Sequence, residues 1–159
     1  MTTISSSAAG GEPVGAIPAA AQWLGGSGLI PFLIPVAILW AGPAGWGDFA
    51  WRALHAYGAV ILSFVGAIHW GAALREEDSE RLWLVMGWSV VPSLLAWVAL
   101  LLPHPSGVAL LLLGFAAQYL MDRRAVAMGW LPDWYGRLRR ALTAGVVACL
   151  ALALMRASV

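Results

Sequence analysis

The sequence predicts an all-α integral membrane protein, a bundle of five transmembrane helices with its N-terminus in the cytoplasm. Two observations carry the fold class. Nine arginines and eight acidic residues make up all the formal charge of 159 residues, and they fall in five islands: Glu12, 48–52, 75–81, 122–140 and Arg156. The runs between them, 13–47, 53–74, 82–121 and 141–155, are free of charge. A water-soluble domain built from such a chain would be clad in apolar side chains. Lipid tolerates that surface, and in lipid a helix satisfies its own backbone groups within one segment. Composition agrees: 61% of the residues are hydrophobic and 11% charged, against about 45–50% and about 25% in ordinary soluble domains.

Residues 1–21 are rich in Ser, Ala, Gly and Pro and contain no arginine. They read as a disordered tail, because they have neither the positive start of a secretory signal nor the arginines of a mitochondrial presequence. The five-helix domain is expected over 22–157. Its first span covers about 20–41 and stops at Gly42-Pro43. A loop with Gly45, Gly47 and Asp48 leads to the second, 52–74, and the acidic loop 75–80 follows. The charge-free run 82–121 is 40 residues. As one helix it would be about 60 Å long, twice a bilayer core of about 30 Å. It must therefore fold back at Pro103-His104-Pro105-Ser106-Gly107, giving spans at 81–102 and 107–128. Gly129 is the expected stop of the fourth helix, and Pro132 opens the fifth, 132–156.

Arginine counts in short loops orient the bundle. Seven arginines lie in 75–81 and 122–140, on one side of a five-span chain, against Arg52 and Arg156 on the other. This places those two segments and the N-terminus in the cytoplasm of a bacterial inner membrane. Eight of the ten tryptophans fall near expected span ends, as an interfacial belt requires; Trp88 and Trp97 sit deeper.

Ionisable groups inside a span are rare and mark sites. His69 lies about one turn from the cytoplasmic end of the second span. On a helix it shares a face with His55, Gly58, Leu62, Gly66 and Ala73, whose glycines let another helix approach closely. Gln118 and Asp122 share a face at i, i+4 at the same membrane level. A carboxylate in lipid needs a partner, and His69, Arg75, Arg81 and the arginines of the last helix are the candidates for Asp122. His69, Gln118 and Asp122 are therefore expected to form a polar pocket. Arg123, Arg124, Arg137, Arg139 and Arg140, with Trp130, Trp134 and Tyr135 among them, suit contacts with anionic lipid head groups. The same residues in a packing role would be a neutral histidine bridging helices and an ion-pair network locking helix ends.

No nucleophile elbow, phosphate loop, paired-carboxylate motif or metal-ligand spacing occurs, so no catalytic residue, cofactor or metal is assigned. The single cysteine, Cys149, excludes an intramolecular disulfide. A net charge of +1 gives no reason to expect nucleic acid. The favoured reading is a non-enzymatic protein acting through helix packing with membrane lipids, a protein partner or further copies of itself. The alternative is the handling of a small solute, protons or a lipophilic cofactor by the polar pocket.

A set of segments adds to this. Tyr57-Gly58-Ala59-Val60-Ile61-Leu62-Ser63-Phe64 leads to His69-Trp70-Gly71; Val91-Pro92-Ser93-Leu94-Leu95-Ala96-Trp97 follows; then come Gln118, Asp122-Arg123-Arg124, Leu131-Pro132-Asp133-Trp134-Tyr135 and Arg137-Leu138-Arg139. Together, over about 24–156, they resemble the transmembrane protein 69-like family, a group of unknown function. The resemblance implies a multi-span membrane protein and brings no mechanism with it.

Overall fold

The structure, a computed structural model, describes residues 15–74 and 79–157, with side chains from 82 onward in the second segment. Most of the expected tail, residues 1–14, lies outside the described residues. The described chain forms α1 (Ala19–Ser27), α2 (Ile30–Ala41), α3 (Gly47–Ala73), α4 (Ser79–Leu101), α5 (His104–Ala127) and α6 (Asp133–Ala157). With α1 and α2 counted together, five helical stretches are long and apolar enough to cross a membrane.

The first span is broken where one helix was expected. Gly25-Gly26-Ser27-Gly28 is a run of weak helix formers, and Pro31 enters α2 in its first turn with no N–H to donate backward. The Phe32 amide bonds the Leu29 carbonyl at 3.0 Å, which frees the Gly28 carbonyl. The Tyr57 hydroxyl of α3 donates to that carbonyl at 3.0 Å, so the break is satisfied by the neighbouring span.

Two other boundaries differ from the expected ones. Helix α3 starts at Gly47, five residues earlier, and carries Asp48 in its first turn, where the helix dipole favours a carboxylate. Helix α5 starts at His104, with Pro103 as its N-cap and Pro105 in its first turn. The end of α5 is as expected. Gly129 has φ +75°, its N–H bonds the Val126 carbonyl at 3.0 Å, and the Trp130 N–H bonds Ala125 at 2.9 Å, the reciprocal pair of a glycine-terminated helix.

Helices α2 to α6 form a ring in which each packs on the next, closed where α2 meets α6, and α3 also meets α5 across the middle. The buried face of α3 is His55, Gly58, Leu62, Gly66, His69 and Ala73, the stripe that its glycine spacing predicts. A Cβ on Gly66 would lie 2.9 Å from Pro92 of α4, and one on Gly58 2.9 Å from Leu111 of α5. These glycines are what allow the backbones to close in. Phe32, Leu54, Leu62, Leu111, Phe115 and Leu150 fill the centre. The outer surface is apolar in mid-span: Phe64 is 66% and Leu113 64% exposed, as lipid-facing positions are.

Candidate functional site

Four helices bring polar side chains together near one end of the bundle. Asp122 of α5, 1% exposed, is the hub. Its Oδ1 accepts from His69 Nε2 of α3 at 2.8 Å and from Gln118 Nε2, one turn earlier on α5, at 3.0 Å. Its Oδ2 accepts from Arg139 Nε of α6 at 2.6 Å. Trp88 Nε1 of α4 donates to Gln118 Oε1 at 3.1 Å, which fixes the amide so that its NH2 faces the carboxylate. His69, Gln118 and Asp122 thus meet, as their shared level and inward faces predicted.

The physics of this cluster is that of a buried ion pair. Removing a carboxylate and a guanidinium from water costs several kcal/mol each, and direct attraction offsets that only when the remaining lone pairs are also satisfied. Asp122 meets this condition with three donors. Arg139 does not: its Nη2 is buried without a hydrogen-bond partner among the described residues, and so are Tyr135 Oη and Thr143 Oγ1 on the same helix. Tyr135, Arg139 and Thr143 are spaced i, i+4, i+8 and form one inward stripe of α6.

Arg139 therefore departs from the head-group role expected of it. It is 6% exposed, because the i, i+4 geometry turns it toward Asp122, whereas Arg123, Arg124, Arg137 and Arg140 are exposed. Arg75 and the Arg81 side chain, the other partners considered for Asp122, lie outside the described residues.

Beside His69 opens a cavity of about 400 Å³, walled by His69, Ala72 and Ala73 of α3, Val85 of α4, Ala125 of α5, and Trp130 to Pro132 of the connection to α6. A second polar pair lies at the other end of the bundle. The Nδ1 atoms of His55 and His104 are 3.2 Å apart, one donating to the other, and Trp51 stacks on His104 with rings 9° from parallel. His104 is the first residue of α5, whereas its place in the Pro103–Gly107 segment put it in a turn by sequence alone. Among the described residues, no group of three or more His, Cys, Asp or Glu side chains could hold a metal.

The sequence profile of a family described as protein of unknown function (DUF3429) matches residues 17–155. The chain belongs to that family. Two relatives carry the name transmembrane protein 69. The one from Xenopus tropicalis is 33% identical over 147 residues, covering 89% of this chain and 56% of the relative. The one from Mus musculus is 27% identical over 123 residues, covering 77% and 50%. The chain thus spans about half the length of these curated relatives. No solved structure matches it. All members of the polar cluster, from His69 to Arg139, fall inside the matched segment of this multi-span membrane family.

Proposed function

We propose that the protein handles protons or a small polar solute at one face of the membrane, with His69 as the exchanging group. One observation carries this reading. His69 is a wall of the 400 Å³ cavity and is at the same time tied through Nε2 to Asp122. With Nε2–H committed to the carboxylate, Nδ1 is the ring nitrogen left to accept a proton or a hydrogen bond. Asp122, itself held by Arg139, fixes the orientation of the ring through Nε2. The arginine distribution supports placing this face in the cytoplasm, and the membrane in this proposal is the bacterial inner membrane.

A different observation favours a second reading. The same hydrogen bonds tie α3, α4, α5 and α6 together, which suits a non-enzymatic protein working through packing with protein partners, lipids or its own copies. In that role the exposed Arg123, Arg124, Arg137 and Arg140 would meet anionic head groups, with about 1 kcal/mol for each near the surface.

Water access separates the two. Ala72→Cys, made in a Cys149→Ala background, puts one thiol on the cavity wall. A membrane-impermeant maleimide is expected to label it in inside-out vesicles and to leave it unlabelled in intact spheroplasts. Absence of labelling from both sides would mean dry packing at His69 and would leave the packing role. Labelling from the outside only would overturn the orientation.

A further inference from the structure

The histidine pair lies at the end of the bundle away from Asp122. His55 of α3 is 2% exposed, and a Cβ on Gly107 would collide with its ring, so α5 closes tightly round it. His104, the first residue of α5, is half-buried and stacks on Trp51. With the two Nδ1 atoms 3.2 Å apart, one ring donates its Nδ1–H and the other accepts on its Nδ1 lone pair. This bond joins α3 to the first turn of α5.

Counting protons shows what acid does to it. One added proton fits: it takes the second nitrogen of the donating ring and leaves the bond in place. A second must take the lone pair that accepts the bond. It breaks the contact and sets two cations side by side, next to the free N–H groups of the α5 N-terminus. The surroundings hold nothing to offset that charge. Helix α2, and α4 from Leu82 on, carry no titratable side chain, and α5 carries none between His104 and Gln118. On α3, Asp48 and Arg52 are exposed and the Tyr57 hydroxyl is bonded to the Gly28 carbonyl. On α6, Arg156 is exposed with its Nε on the Leu39 carbonyl, and Cys149 is a buried thiol. Among the described residues, none of these groups hydrogen-bonds either ring.

We propose that His55 and His104 form an acid-opened clasp, in which the second proton releases the first turn of α5 from α3. The inference uses none of the residues of the His69 site and stands apart from the reading of that site. Once parted, each ring takes a proton near the ordinary histidine value of about 6.5. The closed pair holds at most one. The open state therefore binds at least about one proton more in acid, so falling pH favours it, by about tenfold or more for each pH unit below about 5.5.

The test uses the full chain in nanodiscs, where both faces meet the buffer. Val108, one turn after His104 and buried, becomes a reporter thiol as Val108→Cys in a Cys149→Ala background. Ser106→Cys, at an exposed position of the same turn, gives the reference rate that cancels the pH dependence of the thiol itself. The ratio of the two labelling rates with a methanethiosulfonate reagent is expected to rise about tenfold or more from about pH 5.5 to about pH 4.5. It should stay flat when His55→Gln and His104→Gln are both added, since a pair of amides can bridge the helices and takes up no proton. A flat ratio with both histidines present, or the same rise with both replaced, would overturn the proposal. A second measurement does not depend on the variants folding. Nitrogen NMR of the histidine-labelled protein should show coupling across the Nδ1–H···Nδ1 bond at neutral pH, and its loss as both rings become imidazolium. Coupling absent at neutral pH, or retained once both rings are protonated, would equally overturn it.

Discussion

Asp122→Asn is expected to destabilise the bundle by about 3–5 kcal/mol, the cost of leaving a buried charge without its partner. The amide keeps the shape of the side chain and part of its hydrogen bonding, but Arg139 at 6% exposure then carries an uncompensated charge between helices. Equilibrium unfolding in mixed micelles measures the loss. The companion variant makes the mechanism specific. Asp122→Leu combined with Arg139→Met removes both charges and fills similar volume, and should recover most of the stability, because apolar replacement of a whole buried pair is often neutral or stabilising. Additive losses in the double variant would mean that the two residues do not act as a pair. Such a rescue would also separate roles: a purely structural cluster would be fully replaced, whereas the His69 exchange chemistry would be lost with Asp122.

The second large effect is expected at the opposite end. A Cβ on Gly107 would run into the His55 ring and would lie 2.5 Å from the Ala99 carbonyl oxygen. The second contact is to backbone, so no rotamer change relieves it. Gly107→Val should therefore cost about 3 kcal/mol or more, at or above the upper end of ordinary overpacking. It should also separate His55 from His104, whose 3.2 Å contact joins α3 to the start of α5. Gly87→Ala is the control. Nothing lies within 4 Å of a Cβ there, and a helical glycine replaced by alanine should gain about 0.5–1 kcal/mol. A Gly107→Val protein as stable as the wild type would show that α4 and α5 are not packed this closely.

Much of this architecture is legible in the chain because lipid forbids charge where water does not reach. The charge-free runs mark the spans directly, and the 40-residue run 82–121 had to fold back at its proline pair. The buried stripe of α3 was readable because His55, Gly58, Leu62, Gly66 and His69 recur at helical spacing. Features set by local geometry rather than hydropathy were harder to read. The break at Gly28 lies inside an unbroken apolar run, and its signals, a glycine cluster followed by Pro31, are silent in a hydropathy pattern. Arg139 stands among four other arginines in sequence; position along the chain assigned all five to head groups and left the arginines of the last helix undistinguished as candidate partners of Asp122. Its distinguishing mark is the face it shares with Tyr135 and Thr143, whereas Arg137 and Arg140 point elsewhere. Trp88 was one of two tryptophans away from the expected interfaces. Its bond to Gln118 accounts for that depth, while Trp97, 60% exposed, faces outward. The His55–His104 contact needed the exact start of α5, which depends on whether the turn ends at Pro103 or runs on to Gly107.

The contact between His69 and Asp122 is central, since the exchange chemistry and the direct polar tie between α3 and α5 both depend on it. Solid-state NMR in lipid bilayers can measure it directly, as the dipolar coupling between isotope-labelled His69 Nε2 and Asp122 Cγ, assigned by its loss in His69→Gln. The account predicts a strong coupling, with the two atoms within about 4 Å, the reach of one hydrogen bond plus a carboxyl C–O bond. Folded protein with no such coupling would contradict it, and His69 would then be a packing residue of α3.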